Sequence, residues 1–431
     1  MTKDVYIIDG SRTPFLKAGA KPNPLAAADL AVAAAKPLLM RQPFAPTEIG
    51  EVVIGCVGPN AAEANIGRII GLRAGCGDKV PGWTVQRNCA SGLQAIDSAV
   101  KDILAGRHDL VLAGGTEAMS RAGMFLNENM LNWLGDLNLA KSIPQKLAVI
   151  SKFRPNFLVP VISLLKGLTD PVVNLSMGQT AEKLAYQFNI SRLQMDEFAV
   201  QSHLRAVSAQ ENQHFVAEMT ELFDGQGKFY AADNGVRPDS SVEKLAKLKP
   251  VFDKPFGLVA AGNSSQISDG AALVLLASSA AVDKYKLQPL AKIIDIAWAA
   301  LDPSIMGLGP AHAIAALLKK NNLPLSAIEY FEINEAFAGQ VIACLKALED
   351  PEYCAKELNS SKAIGKIDPT RLNIDGGAVA IGHPVGASGA RLPLHLAHVL
   401  RRNKAKYGIA SLCIGGGQGG AVLIENVMES K

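Results

Sequence analysis

The sequence predicts an α/β protein made of two similar mixed-sheet domains with a loop domain inserted between them. Two observations lead to this. One succession of elements occurs twice along the chain: strand, helix, Pro-led turn, strand, Gly-rich turn, helix, Gly-ended strand. Between the copies the pattern loosens into shorter helices and turns. A repeat on this scale indicates two alike α/β domains rather than a solenoid. The divisions read as 1–119 plus 268–289 for the first domain, 120–267 for the insertion and 290–431 for the second.

In the first copy, Val5-Tyr6-Ile7-Ile8 is a buried-type strand broken by Asp9-Gly10, and a helix-like run spans Leu25 to Leu39. Pro46 to Gly50 leads into the strand Val52-Val53-Ile54. Trp83 to Val85 is β-leaning and ends at Asn88-Cys89-Ala90-Ser91-Gly92. Leu93, Ile96, Val100, Ile103 and Leu104 then recur at helical spacing. Asp109 to Ala113 is a further strand, ending in Gly114-Gly115-Thr116-Glu117. In the second copy, Ala291 to Asp295, Ala311 to Leu318, Pro324 to Ile328 and Tyr330 to Ile333 follow in the same order. Gly382-His383-Pro384 precedes a helix from about Ser388 to Leu400, and a strand from Gly408 to Cys413 ends in Gly415-Gly416-Gly417. The closing strands also match, Gly270 to Leu276 against Gly420 to Ile424. In the insertion, Leu175 to Phe188 and Arg192 to Glu211 read as helices, the second with Ser191 as N-cap and Gln194 three residues on.

A chain of 431 residues can bury large cores. The net charge of +3 gives no reason to expect nucleic acid as a partner. The six cysteines form no CxxC pair, so neither a metal site nor a disulfide framework is expected. Scattered cysteines suit a reducing compartment, and neither end of the sequence reads as a targeting address, so a cytoplasmic location is expected.

Cys89 lies where a strand ends and a helix begins. The unpaired N–H groups at a helix start favour thiolate over thiol, and thiolate is the nucleophile. On this local ground alone, a small buried hydrophobe is an equal reading. His383 alone reads as a turn residue, Cys413 alone as a core cysteine, and Asn334 alone as a polar strand end. Their meaning comes from the set. Asn88-Cys89-Ala90-Ser91-Gly92, Asn334-Glu335-Ala336-Phe337, Gly382-His383-Pro384 and Cys413-Ile414-Gly415 occur in order over essentially the whole chain.

Together these segments resemble the thiolase family. The resemblance implies a layered αβαβα fold, CoA-dependent cleavage of 3-ketoacyl-CoA through an acyl-cysteine, and no metal or other cofactor, coenzyme A being a substrate. It implies that Cys89 is the nucleophile, that His383 takes its proton and that Cys413 moves protons on the second substrate. His383 with a water held by Asn334 would form one oxyanion hole, and the N–H groups of Cys89 and Gly415 the other. For coenzyme A it points to Met177, Arg237, Phe252 and Ser265. Ser176 stands where the family often has histidine. It further implies a homodimer or homotetramer.

The insertion, with Ser151 to Leu158, looks most like the thiolase subunit of the β-oxidation multienzyme complex, although that subunit usually has His-Glu-Ala-Phe where this chain has Asn334-Glu335-Ala336-Phe337. Asparagine there is the habit of the ordinary degradative and acetoacetyl-CoA thiolases. Condensation of two acetyl-CoA molecules is the same chemistry run backwards, so biosynthetic acetyl-CoA acetyltransferase activity is the alternative. A ketoacyl synthase would pair its cysteine with two histidines, and Cys413-Ile414-Gly415 argues against it. A catalytically silent lipid- or CoA-binding relative is the rival of another class. From Asn138 to Thr169 there is no Asp or Glu, while Lys141, Lys146, Lys152, Arg154 and Lys166 are interleaved with apolar residues. Residues 138–169 therefore suit an anionic membrane or a partner subunit. They equally suit a lid on the acyl tunnel, and apolar runs in a globular chain are more often buried.

Overall fold

The computed structural model describes residues 4–427. Its main sheet has ten strands: β1 (Val5–Arg12), β2 (Leu16–Lys17), β3 (Glu51–Gly55), β4 (Gly82–Val85), β5 (Leu110–Ala118), β6 (Ser268–Ser278), β7 (Ala291–Ala300), β8 (Tyr330–Ile333), β9 (Tyr407–Ile414) and β10 (Gln418–Asn426). They run in the order β8-β9-β10-β7-β1-β6-β5-β3-β4, with β2 beside β6.

The repeat is visible in the pairing. β3 is parallel to β5, which is antiparallel to β6, which is antiparallel to β1. β8, β9, β10 and β7 repeat those senses in that order. A bulge breaks both first strands, between Ile7 and Asp9 and between Ile293 and Asp295. Each bulge aspartate accepts from the next backbone N–H. Each is also gripped by the end of the first helix of its half: Asp9 by Arg41 and Gln42, and Asp295 by Lys320 and Asn321. The periodicity of the sequence does not reveal that the two halves join. Val5, Tyr6 and Ile7 pair with Ile293, Lys292 and Ala291, so one hydrogen-bonded sheet runs through both.

The helices Ser91–Leu104 and Val385–Asn403 lie together between the two sheet halves. Ala90, Leu93 and Ile96 share one core with Leu392, Leu396 and Leu400, and with Val111 and Val274 of one half and Leu412 and Ile424 of the other. A helix packed on all sides must be apolar or small all round, and 14 of the 19 residues of Val385–Asn403 are buried. The crossing requires glycine. A Cβ on Gly92 would stand 2.8 Å from the Gly386 carbonyl oxygen, and one on Gly389 would stand 2.5 Å from the Leu93 nitrogen. Ala27–Met40 and Ile66–Arg73 cover the outer face of the first half, and Gly309–Lys320 and Ala338–Glu349 cover that of the second. The result is the expected αβαβα layering.

A buried ion chain ties the insertion to both halves. Arg12 reaches Glu218 (2.6 Å) and Asp233 (2.8 Å). Glu218 also holds His395 (2.9 Å), which lies 3.2 Å from Asp375, itself paired with Arg402.

The insertion divides into two parts. Met177–Gln187 and Arg192–Glu211 pack on the C-terminal half, and Ser191 and Gln194 form the expected capping box. Residues 124–169 project outward. Interrupted by Pro144, Pro155 and Pro160, this part forms only short helices, Glu128–Leu139, Ile143–Ile150 and Ser163–Gly167. Trp133, Phe153 and Phe157 make a small edge-to-face core, and Asn127 donates to the carbonyls of Asn156, Phe157 and Val159. Burial of its apolar run is not what the structure has. Leu139 is 75% exposed, Ile143 76% and Leu147 61%. A segment this short, broken by prolines, has only the aromatic trio to fold around. Among the described residues no helix is long and apolar enough to cross a membrane.

Candidate active site

Cys89 lies between β4 and the Ser91–Leu104 helix, as the sequence predicts. Asn88, in a left-handed conformation (φ +43°), makes the corner. Ser91 closes the turn: its Oγ accepts from the Arg87 N–H at 2.9 Å and donates to the Asn88 carbonyl at 2.7 Å.

The electrostatics differ from the expectation for a helix start. Burial pushes the Cys89 thiol up, against the backbone N–H groups of Gly415 and of Cys89 itself, which pull it down. Burial wins, and the charge of Glu117 adds to it. The resting group is therefore a thiol, and its proton needs an acceptor. The helix-end field is a short-range partial charge, while desolvation opposes the whole charge of the thiolate.

His383 supplies an acceptor. It is buried in the turn that opens the Val385–Asn403 helix. Ser388 Oγ lies 2.6 Å from its Nδ1 and donates to the Pro384 carbonyl at 3.0 Å. With its own proton so engaged, Ser388 accepts from Nδ1–H, which leaves the lone pair on Nε2. Nε2 faces the Asn334 amide nitrogen at 3.3 Å. Burial, followed by the charge of Arg391, holds the His383 pKa down to about 4, so the ring is neutral at pH 7. Because the helices after the Cys89 and His383 turns cross at Gly92, Gly386 and Gly389, the two turns lie at one end of the central layer.

Asn334 follows β8. Its Oδ1 is buried with no hydrogen-bond partner among the described residues. Its neighbour Glu335, for which the sequence reading named no role, holds the loop: its carboxylate accepts from Ser202 (2.6 Å), Asn373 (2.8 Å) and the Val379 N–H (3.1 Å). A Cβ on Gly377 would meet that carboxylate at 2.3 Å. Cys413 is buried at the end of β9. Burial, then the neighbouring Cys89 and Cys344, pushes its thiol well up. Gly415 is next to the Cys89 turn through its carbonyl, which accepts from Asn88 Nδ2 at 2.8 Å.

The residues expected to meet coenzyme A fall in two groups. Met177 opens the Met177–Gln187 helix, and its sulfur lies 3.3 Å from where a Gly415 Cβ would be. Ser176, in the place of the family's histidine, caps that helix with Gln179. Phe252 covers Gly178 and meets the Phe337 ring edge-on at 5.9 Å. The Ser265 N–H donates to the Ala336 carbonyl. These three therefore border the Asn334 and Gly415 segments. Arg237 stands apart and exposed, its backbone N–H donating to His203 Nδ1 at 3.2 Å. Its loop is tied to the His383 turn through Gln266, which donates to the carbonyls of Gly235 and Ala380.

Besides Glu335, two residues here were missed in the sequence. Ser388 had a signal, being a hydroxyl in the first turn of the helix that follows the histidine. Glu117 is buried beside the His383 helix, accepting from the Val57 and Gly58 N–H groups and lying against Gly386. Burial raises its pKa to about 7. A cavity of about 160 Å³ lined by Gln210, Phe215 and Met219 contains none of the expected residues.

Fold and site define a class: an acyl-transferring enzyme of layered α/β build, with a cysteine and a neutral histidine on matching turns of two repeats. Residues 5–280 match the thiolase N-terminal domain, and residues 287–426 match the thiolase C-terminal domain. The chain is 37% identical to the mitochondrial trifunctional enzyme subunit beta of Mus musculus, over 98% of this chain and 88% of that one. It is 37% identical to the mitochondrial 3-ketoacyl-CoA thiolase of Rattus norvegicus, over 99% of each. A crystal structure of human mitochondrial 3-ketoacyl-CoA thiolase in complex with CoA superposes with a TM-score of 0.86 at 36% identity, over 99% of each chain. The chain belongs to the thiolase family and is an acyltransferase of that kind.

Proposed function

We propose that this thiolase cleaves 3-ketoacyl-CoA with coenzyme A, in fatty acid β-oxidation. His383 Nε2 takes the Cys89 proton, and the sulfur attacks the 3-keto carbon. The oxyanion formed there is held by the N–H groups of Cys89 and Gly415. The C2–C3 bond breaks, leaving an acyl group on Cys89 and the enolate of acetyl-CoA. Protonated His383, with a water on the free Oδ1 of Asn334, stabilises that enolate, and Cys413 protonates its carbon. Cys413, left as thiolate, takes the proton of the incoming coenzyme A thiol, whose sulfur attacks the acyl carbon; the acyl–Cys89 bond breaks and the departing Cys89 sulfur recovers its proton from His383, which restores all three groups. The observation that carries this reading is the setting of the buried His383 ring, with Ser388 Oγ 2.6 Å from Nδ1 and the Asn334 amide nitrogen 3.3 Å from Nε2. The test is thiolysis of acetoacetyl-CoA followed at the enolate absorbance. No loss of absorbance with enzyme and coenzyme A present would refute it.

Condensation of two acetyl-CoA molecules, the acetyl-CoA acetyltransferase reaction, is the same chemistry reversed. Met177, Phe252 and Ser265 would line the pantetheine path, and Arg237 would meet the phosphates. For assembly we propose a homodimer or homotetramer, supported by β4, a sheet edge unpaired among the described residues that leads straight into the Cys89 turn. The projecting residues 138–169, basic and apolar at the surface, support docking on a β-oxidation partner subunit or on an anionic membrane. All six cysteines are free, which supports a reducing, cytoplasmic location.

A further inference from the structure

One residue of the nucleophile turn has no part in the chemistry above. Asn88 takes the left-handed conformation that asparagine tolerates better than most residues. Its backbone is held by Ser91, whose N–H and Oγ both donate to the Asn88 carbonyl. Its side chain crosses to the other half of the molecule, Nδ2 donating to the Gly415 carbonyl at 2.8 Å. The Gly415–Gly417 turn is closed by the Ile414–Gln418 strand pair and held at its far end by the Leu301 N–H on the Gly417 carbonyl, and the Asn88 amide holds its near end to the Cys89 turn. Gly415 follows the last residue of β9 and precedes Gly416 and Gly417, both at positive φ (+92° and +76°). Three successive glycines carry no side chain that could anchor the loop and are conformationally permissive. A second brace lies farther out: Arg87 Nη1 donates to Gln418 Oε1 at 3.0 Å, its guanidinium 4.1 Å from the centre of the Trp298 ring.

We infer that Asn88 is a positioning residue: its amide locks the Gly415 loop to the Cys89 turn and so preorganises the two N–H groups that receive the oxyanion. The inference rests on the thiolysis reading above. Donors fixed before the reaction stabilise the charge that develops in the transition state, and the neutral ground-state carbonyl gains less from them. Loss of the brace should therefore lower kcat and leave KM nearly unaltered.

Two variants test this. Asn88→Gly keeps the left-handed conformation and deletes the amide. Asn88→Asp keeps shape and conformational tolerance and turns an acceptor toward the Gly415 carbonyl. With acetoacetyl-CoA, both should keep the full amplitude of Cys89 acylation. The acylation rate should fall about 10- to 100-fold, with KM within about threefold of the wild type. Acylation within about twofold of the wild-type rate in both variants overturns the inference, as does a rise in KM at constant kcat or a loss of amplitude at constant rate. Wild-type enzyme and Cys89→Ala run alongside. An inactive wild type, or an active Cys89→Ala, overturns the thiolysis reading itself and is distinct from any result of the Asn88 variants.

Discussion

Ser388 Oγ lies 2.6 Å from Nδ1 of His383 and spends its own proton on the Pro384 carbonyl. The hydroxyl thereby assigns the imidazole proton to Nδ1 and leaves Nε2 able to accept one. Ser388→Ala removes this constraint without adding bulk. Acylation by Ser388→Ala should fall at least about tenfold, since general base catalysis contributes roughly 10²–10⁴. Single-turnover acylation measures it, and an unaltered rate would exclude Ser388 from the site.

The two cysteines should separate kinetically. Cys89→Ala should lose acyl labelling and turnover and remain folded, because the turn is built from small residues. Cys413→Ala should still acylate Cys89 but fail to release or condense acetyl groups. Intact-mass spectrometry after mixing with acyl-CoA distinguishes them; an acyl adduct on Cys89→Ala, or none on Cys413→Ala, contradicts the division.

The pH profile of kcat/KM has a predicted direction. His383 is held at about 4, below its ordinary 6.5, by burial and Arg391. It therefore stays neutral and able to accept a proton down to about pH 4. The acidic limb attributable to this group should lie near pH 4 rather than 6.5. A limb near pH 7 that vanishes in Glu117→Gln would instead be that of Glu117, raised to about 7 by burial.

The buried ion chain predicts how stability varies with pH. Burial tends to raise Glu218 and Asp375, but His395 and the arginines overrule it and hold both well below the usual carboxylate range. Burial tends to lower His395, yet Glu218 and Asp375 bring it up to about 10. The carboxylates' contribution is present above their unfolded pKa values near 4 and is lost as pH falls below them. That of His395 is complete below about 6.5 and is lost as pH rises toward 10. Melting temperature should thus peak between about pH 5 and 7. His395→Gln should flatten the alkaline decline and lower stability by roughly 1.5–3 kcal/mol, since Glu218 keeps Arg12 and Asp375 keeps Arg402 but each loses a charged hydrogen-bond partner. An alkaline decline as steep as the wild type's would count against this.

Neutralising Lys141, Lys146, Lys152, Arg154 and Lys166 should abolish salt-sensitive flotation with anionic liposomes while sparing turnover on short substrates. Each cation contributes roughly 1 kcal/mol near such a surface. No flotation by the wild type at low salt would overturn the membrane reading.

The sequence by itself determined the α/β class, the twofold repeat, and the turns on which Cys89, Asn334, His383 and Cys413 stand; the layering followed only from the family resemblance. Class, repeat and turns are local features. Glycine and proline punctuate the chain, and apolar spacing separates strand from helix. The tertiary structure alone decided four other things. It joined the halves through three residues of β1, and it set Ser388 against His383 and Asn88 against Gly415. It left the apolar face of residues 138–169 at the surface. It also reversed the local expectation for Cys89, whose helix-start position favours thiolate while its surroundings favour thiol. Desolvation and through-space charge depend on everything packed around a group, and no stretch of sequence carries that sum.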